Sequence, residues 1–127
     1  MPCGKNFITS KKVYKQGDII VVRYPLSDKS GKSIIRPVVI ISNEISNNLD
    51  EDVLVCQVTT TLRNTKFSFL LKNEFLTVPM PQISEARCNK IATVRIWDKI
   101  VLDKISSLAP EGLEPLLYIV RSVFSDF

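Results

Sequence analysis

The 127-residue chain contains no histidine. That absence removes imidazole as general acid or base, and with it any Ser-His-Asp or Cys-His nucleophile arrangement. It also takes away the commonest metal ligand, and no Cys/Asp/Glu constellation stands in for it, so no metal site is expected. Neither G-x-x-x-x-G-K-S/T nor G-x-G-x-x-G occurs, which argues against a nucleotide cofactor. No apolar run approaches the ~18 residues of a membrane span. The first fifteen residues are basic but lack an apolar h-region, so no secretory signal is expected. Cysteine is scarce: Cys3, Cys56 and Cys88 make an odd total without CxxC spacing. They read as free thiols in a reducing cytoplasm, with Cys56 and Cys88 acting as small hydrophobes in strand-like segments.

What is present describes an ordinary core, with 45% apolar residues in a length that suits one domain. A basic lead-in over residues 1–15 precedes a single domain over 16–127. The net charge of +4 is unevenly spread. Residues 1–36 hold eight Lys/Arg against two acids, residues 37–86 three against six, and residues 87–127 six against five. Positive charge therefore gathers on the lead-in, the first strand and the loop after it, which favours a polyanion as partner. Asp50-Glu51-Asp52 is the one acidic cluster and reads as a solvated turn.

Gly17-Asp18 opens a strand over Ile19 to Tyr24 that Pro25 ends. A ten-residue loop, Leu26 to Ile35, turns at Asp28-Lys29-Ser30-Gly31 and delivers the chain to Arg36-Pro37. The apolar run that follows reads as a strand over Pro37 to Ser42, buried on both faces. Ser42 or Asn43 can cap a helical turn with Ile45 and Leu49 on one face. Further strands are expected over Val53–Thr61, Lys66–Leu71, Ser84–Cys88 with Lys90–Arg95 (a pair, or one bent strand), and Ile100–Ile105. Leu113, Leu116, Leu117, Val120, Val123 and Phe124 follow helical spacing, with Pro110 as a first residue and Pro115 either starting the helix or kinking it. Short strands with one closing amphipathic helix predict a mainly β domain, a bent antiparallel sheet or barrel.

Chemistry without imidazole or metal must use arginine, hydroxyls, lysine and backbone donors. Cleavage of RNA by its own 2′-hydroxyl suits those groups, because the substrate brings the nucleophile. The protein need only align it and stabilise charge on the phosphorane. Arg36, a planar fork of five donors at the edge of a rigid element, fits the second task. The hydroxyl-rich strand end Thr59-Thr60-Thr61 offers further donors.

These segments resemble the MazF/PemK (Kid) family of toxin endoribonucleases over roughly Lys15 to Phe124. The resemblance lies in Gly17-Asp18-Ile19, the Asp-Lys-Ser-Gly loop leading into Arg36-Pro37-Val38-Val39-Ile40-Ile41-Ser42, Val58-Thr59, and Ser84-Glu85-Ala86-Arg87-Cys88 before Lys90-Ile91-Ala92-Thr93. It implies an SH3-like barrel of the kind shared with CcdB, a cytoplasmic homodimer, and cleavage of single-stranded RNA at short sequences with neither metal nor cofactor. It also implies a cognate antitoxin whose acidic tail covers the site. Arg36 matches the family's catalytic arginine and Thr59 its catalytic threonine; Lys29, Lys32, Thr60 and Arg87 are the expected substrate contacts. Ala92 stands where several members carry arginine or another polar residue.

Two other readings use the same fold. A CcdB-like toxin would bind gyrase, with Arg36 and Thr59 structural, although Trp97 lies in a turn-like segment rather than at the chain end. A non-catalytic nucleic-acid-binding barrel would need exposed aromatics, whereas Tyr24, Phe67, Phe69 and Phe124 fit core positions.

Overall fold

The computed structural model describes residues 13–25 and 31–125. Six strands form one antiparallel sheet: β1 (Asp18–Pro25), β2 (Ser33–Ile40), β3 (Asp52–Thr59), β4 (Ser68–Leu71), β5 (Ser84–Arg95) and β6 (Val101–Ser107), in the order β4-β5-β3-β2-β1-β6. Two helices, α1 (Glu44–Asn47) and α2 (Pro110–Ser122), complete the fold with a short 3-10 turn over Asn73–Phe75. The segment after that turn returns to the far edge: Leu76 bridges Leu108, and the Thr77 N–H donates to the Ser107 carbonyl at 2.9 Å. The two edge strands are thereby drawn together, and the sheet bends toward closure.

Both faces of the sheet are buried, which is why strands β1 and β2 read as continuous apolar runs. On one face Ile19, Val39, Cys56, Val58, Leu71, Ala86 and Cys88 meet Leu116, Leu117 and Val120 of α2. On the other, Ile20, Val22, Val38, Ile40, Val53, Val55, Val94 and Val101 form a second cluster, with Ala92 packed against it. Each fully covered aliphatic side chain contributes about 1.5–3 kcal/mol. Strand β5 serves both clusters because it bends. Between the pairs Cys56–Ile91 and Gln57–Arg87 it carries three extra residues opposite a single step of β3, a bulge that turns its direction. The bent single strand is thus the form adopted, not a separate pair.

Local signals explain the junctions. Gly17 takes φ +92, and its N–H donates to the Ile40 carbonyl while its own carbonyl accepts from Leu108 N–H. Asp18, buried, accepts from the Lys15 N–H at 2.8 Å and pairs with Lys104 at 3.3 Å. Asn43 caps α1 through its side chain, accepting from Ser46 N–H at 2.9 Å. The buried Asn47 is bonded to both the hydroxyl and the carbonyl of Ser42. Helix α2 starts at Pro110 and runs through Pro115, whose ring lies on its exposed side.

Several boundaries differ from the expectations. Strand β2 begins at Ser33, so Arg36-Pro37 lies inside a strand and not at its mouth. Strand β3 ends at Thr59, with Thr60 and Thr61 beyond it. Ile45 and Leu49 are exposed, because α1 is a single turn held by Ser42 and Asn47 and not by an apolar face. Phe124 follows the helix and is 74% exposed, so the buried stripe of α2 closes at Val120. Among the described residues no helix is long and apolar enough to cross a membrane.

Candidate active site

The second face of the sheet changes character along its length. Strand alternation puts Ile20, Val22 and Tyr24 of β1, Arg36 and Val38 of β2, and Val55, Gln57 and Thr59 of β3 on that face. Direct cross-strand partners share a face, which adds Arg87 opposite Gln57 and Glu85 opposite Thr59. At one end these side chains are aliphatic and sealed. At the other they are Tyr24, Arg36, Gln57, Thr59, Glu85 and Arg87, a polar group on a rigid sheet.

Pro37 opens this end. The Ile41 N–H donates to the Leu54 carbonyl of β3 at 2.9 Å. Odd-numbered residues of β2 therefore aim their amides at β3. Pro37 shares that parity and has no N–H to give. The β2–β3 ladder accordingly begins only at Val38–Gln57. Extending its register by two residues sets Arg36 opposite Thr59, across a stretch with no backbone pairing. Both side chains are half-buried: neither is sealed from solvent.

The Arg36 guanidinium is held on two sides. Its Nη1 donates to Gln57 Oε1 at 3.3 Å, and its carbon lies 5.9 Å from the centre of the Tyr24 ring. Gln57 Nε2 in turn donates to the Tyr24 hydroxyl oxygen at 3.2 Å. The Arg36 Nε–H is buried and has no hydrogen-bond partner among the described residues. An unmatched buried donor of this kind costs about 1–3 kcal/mol. Thr59 Oγ1 accepts from the Thr61 N–H at 3.0 Å, which leaves its own proton free to donate outward.

Glu85 organises the turn beside Thr59. Its Oε1 accepts from the N–H groups of Arg63 and Asn64 at 3.1 and 3.2 Å, and its Oε2 from the Ser68 hydroxyl at 2.8 Å. Burial alone pushes this carboxyl up. The Ser68 hydroxyl, the two amides and the Arg87 charge outweigh it and hold the group below the usual carboxylate range. Asn64, the one positive-φ non-glycine residue described, sits in the turn so pinned. With both oxygens engaged, Glu85 supports the site's geometry and is not a free base.

Of the residues expected from the sequence, Arg36, Thr59 and Arg87 come together on this face. Thr60 is exposed just past β3, and Lys32 is exposed four residues before Arg36, a strand distance of roughly 13 Å. Lys29 lies outside the described residues. Three contributors were not expected at the site: Gln57, Glu85, and Tyr24, which packs against the second cluster as a core aromatic but turns its hydroxyl to Gln57. Gln57 could have been found, being a lone polar residue two positions before Thr59 in an apolar strand. No three His, Cys, Asp or Glu side chains among the described residues come together to hold a metal ion. Cys56 and Cys88 are free and buried; hydrogen bonding between the thiols, and then burial, push the Cys56 thiol up, away from the nucleophilic form.

A family profile described as PemK-like, MazF-like toxin of type II toxin-antitoxin system matches residues 15–124. The chain belongs to this toxin family. No curated protein matches the toxin in sequence. Solved structures share its fold. A mycobacterial endoribonuclease in complex with its cognate antitoxin superposes with a TM-score of 0.68 at 17% identity, over 87% of this chain and 94% of that one. The Mycobacterium tuberculosis toxin MazF-mt6 gives 0.64 at 22% identity, covering 87% and 99%. MazE-MazF from Deinococcus radiodurans gives 0.68 at 12% identity, covering 88% and 96%. The six-stranded sheet with its C-terminal helix is thus the architecture of these toxins.

Proposed function

We propose that this toxin is a cytoplasmic endoribonuclease that cuts single-stranded RNA at short sequences, with neither metal nor organic cofactor. In this reading residues 16–127 form the toxin domain and 1–15 its lead-in. The observation that carries it is Arg36: a half-buried guanidinium fixed by Gln57 and Tyr24 at the open end of a strand pair. A phosphate oxygen is the acceptor such a fork is built to receive. Attack by the 2′-hydroxyl on the adjacent phosphorus leaves a 2′,3′-cyclic phosphate and a 5′-hydroxyl. Charge rises on the non-bridging oxygens as the phosphorane forms, and Arg36 and the outward proton of Thr59 meet it there. Arg36 does not act as a base, since a guanidinium holds its proton far above neutrality. Arg87, Thr60, Lys32 and Lys29 contact the flanking nucleotides.

Partners follow the relatives. One similar structure is an endoribonuclease with its cognate antitoxin, and we assign this chain an antitoxin with an acidic segment that covers Arg36. A second copy of the chain completes a homodimer. Incubating the purified toxin with a long RNA in excess chelator tests the reading. Cuts recurring at one short motif, with cyclic phosphate on the upstream fragment, are expected. RNA left intact while a topoisomerase is inhibited would instead favour gyrase binding, and salt-sensitive RNA binding without cuts would favour a non-catalytic barrel.

A further inference from the structure

We propose that the Tyr24 hydroxyl is a further catalytic group, the donor of a proton to the departing 5′-oxygen. This rests on the nuclease reading and adds a residue to it. A guanidinium has donors only, so the Gln57 atom 3.3 Å from Arg36 Nη1 has to be the carbonyl oxygen. That fixes the amide's orientation and turns its NH₂, again donor-only, toward the Tyr24 oxygen at 3.2 Å. The phenolic oxygen is therefore the acceptor in that bond. Its own O–H is left without an acceptor among the described residues, on a side chain tied through Gln57 to the group that would grip the phosphate.

The leaving alkoxide must gain a proton, and few groups at this end of the sheet can give one. The chain has no imidazole. Arginine binds its proton too tightly, and both Glu85 oxygens already accept hydrogen bonds. An aliphatic hydroxyl such as that of Thr59 is a weaker acid than a phenol. Lys32 stands roughly 13 Å along the strand from Arg36, so among the groups tied to that arginine Tyr24 is the remaining candidate. In the step, hydroxide from solvent takes the 2′-proton and the 2′-oxygen bonds to phosphorus. The P–O5′ bond breaks with its electron pair on O5′, which takes the Tyr24 proton. Water then reprotonates the phenolate and returns the hydroxide, so protein and solvent end unchanged.

A leaving-group substitution tests this. Once the cut site is mapped, two oligonucleotides spanning it are compared, one natural and one with sulfur in place of the leaving 5′-oxygen. A thiolate departs without protonation, so a proton donor matters only for the natural one. The sulfur-to-oxygen rate ratio is also independent of the fraction of protein folded. In Tyr24→Phe that ratio is expected to rise by about 10²-fold or more, whereas Arg36→Ala slows both substrates. Tyr24→Leu, read by the same ratio, serves if the phenylalanine variant does not accumulate. An unchanged ratio in an active variant would overturn the assignment and leave Tyr24 as a support for Arg36. A wild-type toxin that leaves both oligonucleotides whole would remove the nuclease reading itself.

Discussion

Arg36 is a donor-only group, and its neighbours are arranged around that fact. Gln57 presents a carbonyl to it and passes its own protons on to Tyr24. Thr59 accepts from the Thr61 N–H and keeps its own hydroxyl proton to give, so Arg36 and Thr59 both offer donors to an acceptor. Glu85 is the counterweight: a buried carboxylate that collects two donors from the turn after β3 and a third from Ser68 at the start of β4. Because its folded pKa lies below the unfolded value, its contribution is complete above an unfolded pKa of about 4.3 and is lost as pH falls through the lower folded one. Glu85→Gln should cost on the order of 1–2 kcal/mol at pH 7. Urea unfolding at pH 7 and again near pH 3 checks the sign: the gap between wild type and variant narrows in acid, as the wild-type carboxylate takes up protons. A gap that held or widened would mean Glu85 is not the ionised anchor described.

Single residues also shape the elements. Pro37 ends the β2–β3 ladder and so opens the strand pair where Arg36 and Thr59 face each other. Gly112 lets α2 lie on the 3-10 turn: a Cβ there would meet Phe75 Cβ at 2.7 Å and its ring at 2.9 Å. Gly112→Ala removes a poor helix former, yet the clash is with a ring anchored close to its backbone. The overpacking should prevail, lowering stability by roughly 1–3 kcal/mol, and a thermal melt of the variant above the wild-type midpoint would contradict it. The strands and the closing helix were legible in the sequence because runs of β-branched residues and the Leu113–Val120 spacing report burial directly. The start of β2 was not. Lys32-Ser33-Ile34-Ile35 reads as loop by polarity, but Ser33 pairs with Pro25 and Ile34 with Tyr24, and pairing is non-local. For the same reason Arg36 and Thr59 could be named singly, while Gln57 and Tyr24 emerged only once the strands were set side by side.

At the scale of the whole molecule, two cores divide the labour. The α2-covered cluster and the cluster of Ile20, Val38 and Val55 grip the sheet from both sides, so its polar end is carried on rigid strands. The excess of positive charge over residues 1–36 surrounds that end in sequence and suits a polyanion. Binding should accordingly weaken as salt rises, and a fluorescence titration of Arg36→Ala with a labelled single-stranded RNA checks it; affinity unmoved between low and high salt would place recognition elsewhere. The most direct measurement for the account as a whole is the single-turnover cleavage rate of Arg36→Ala beside wild type, at saturating toxin and in chelator. A loss of about 10²–10³ in rate with the melting temperature retained is predicted; a variant that cuts RNA as fast as wild type would contradict it.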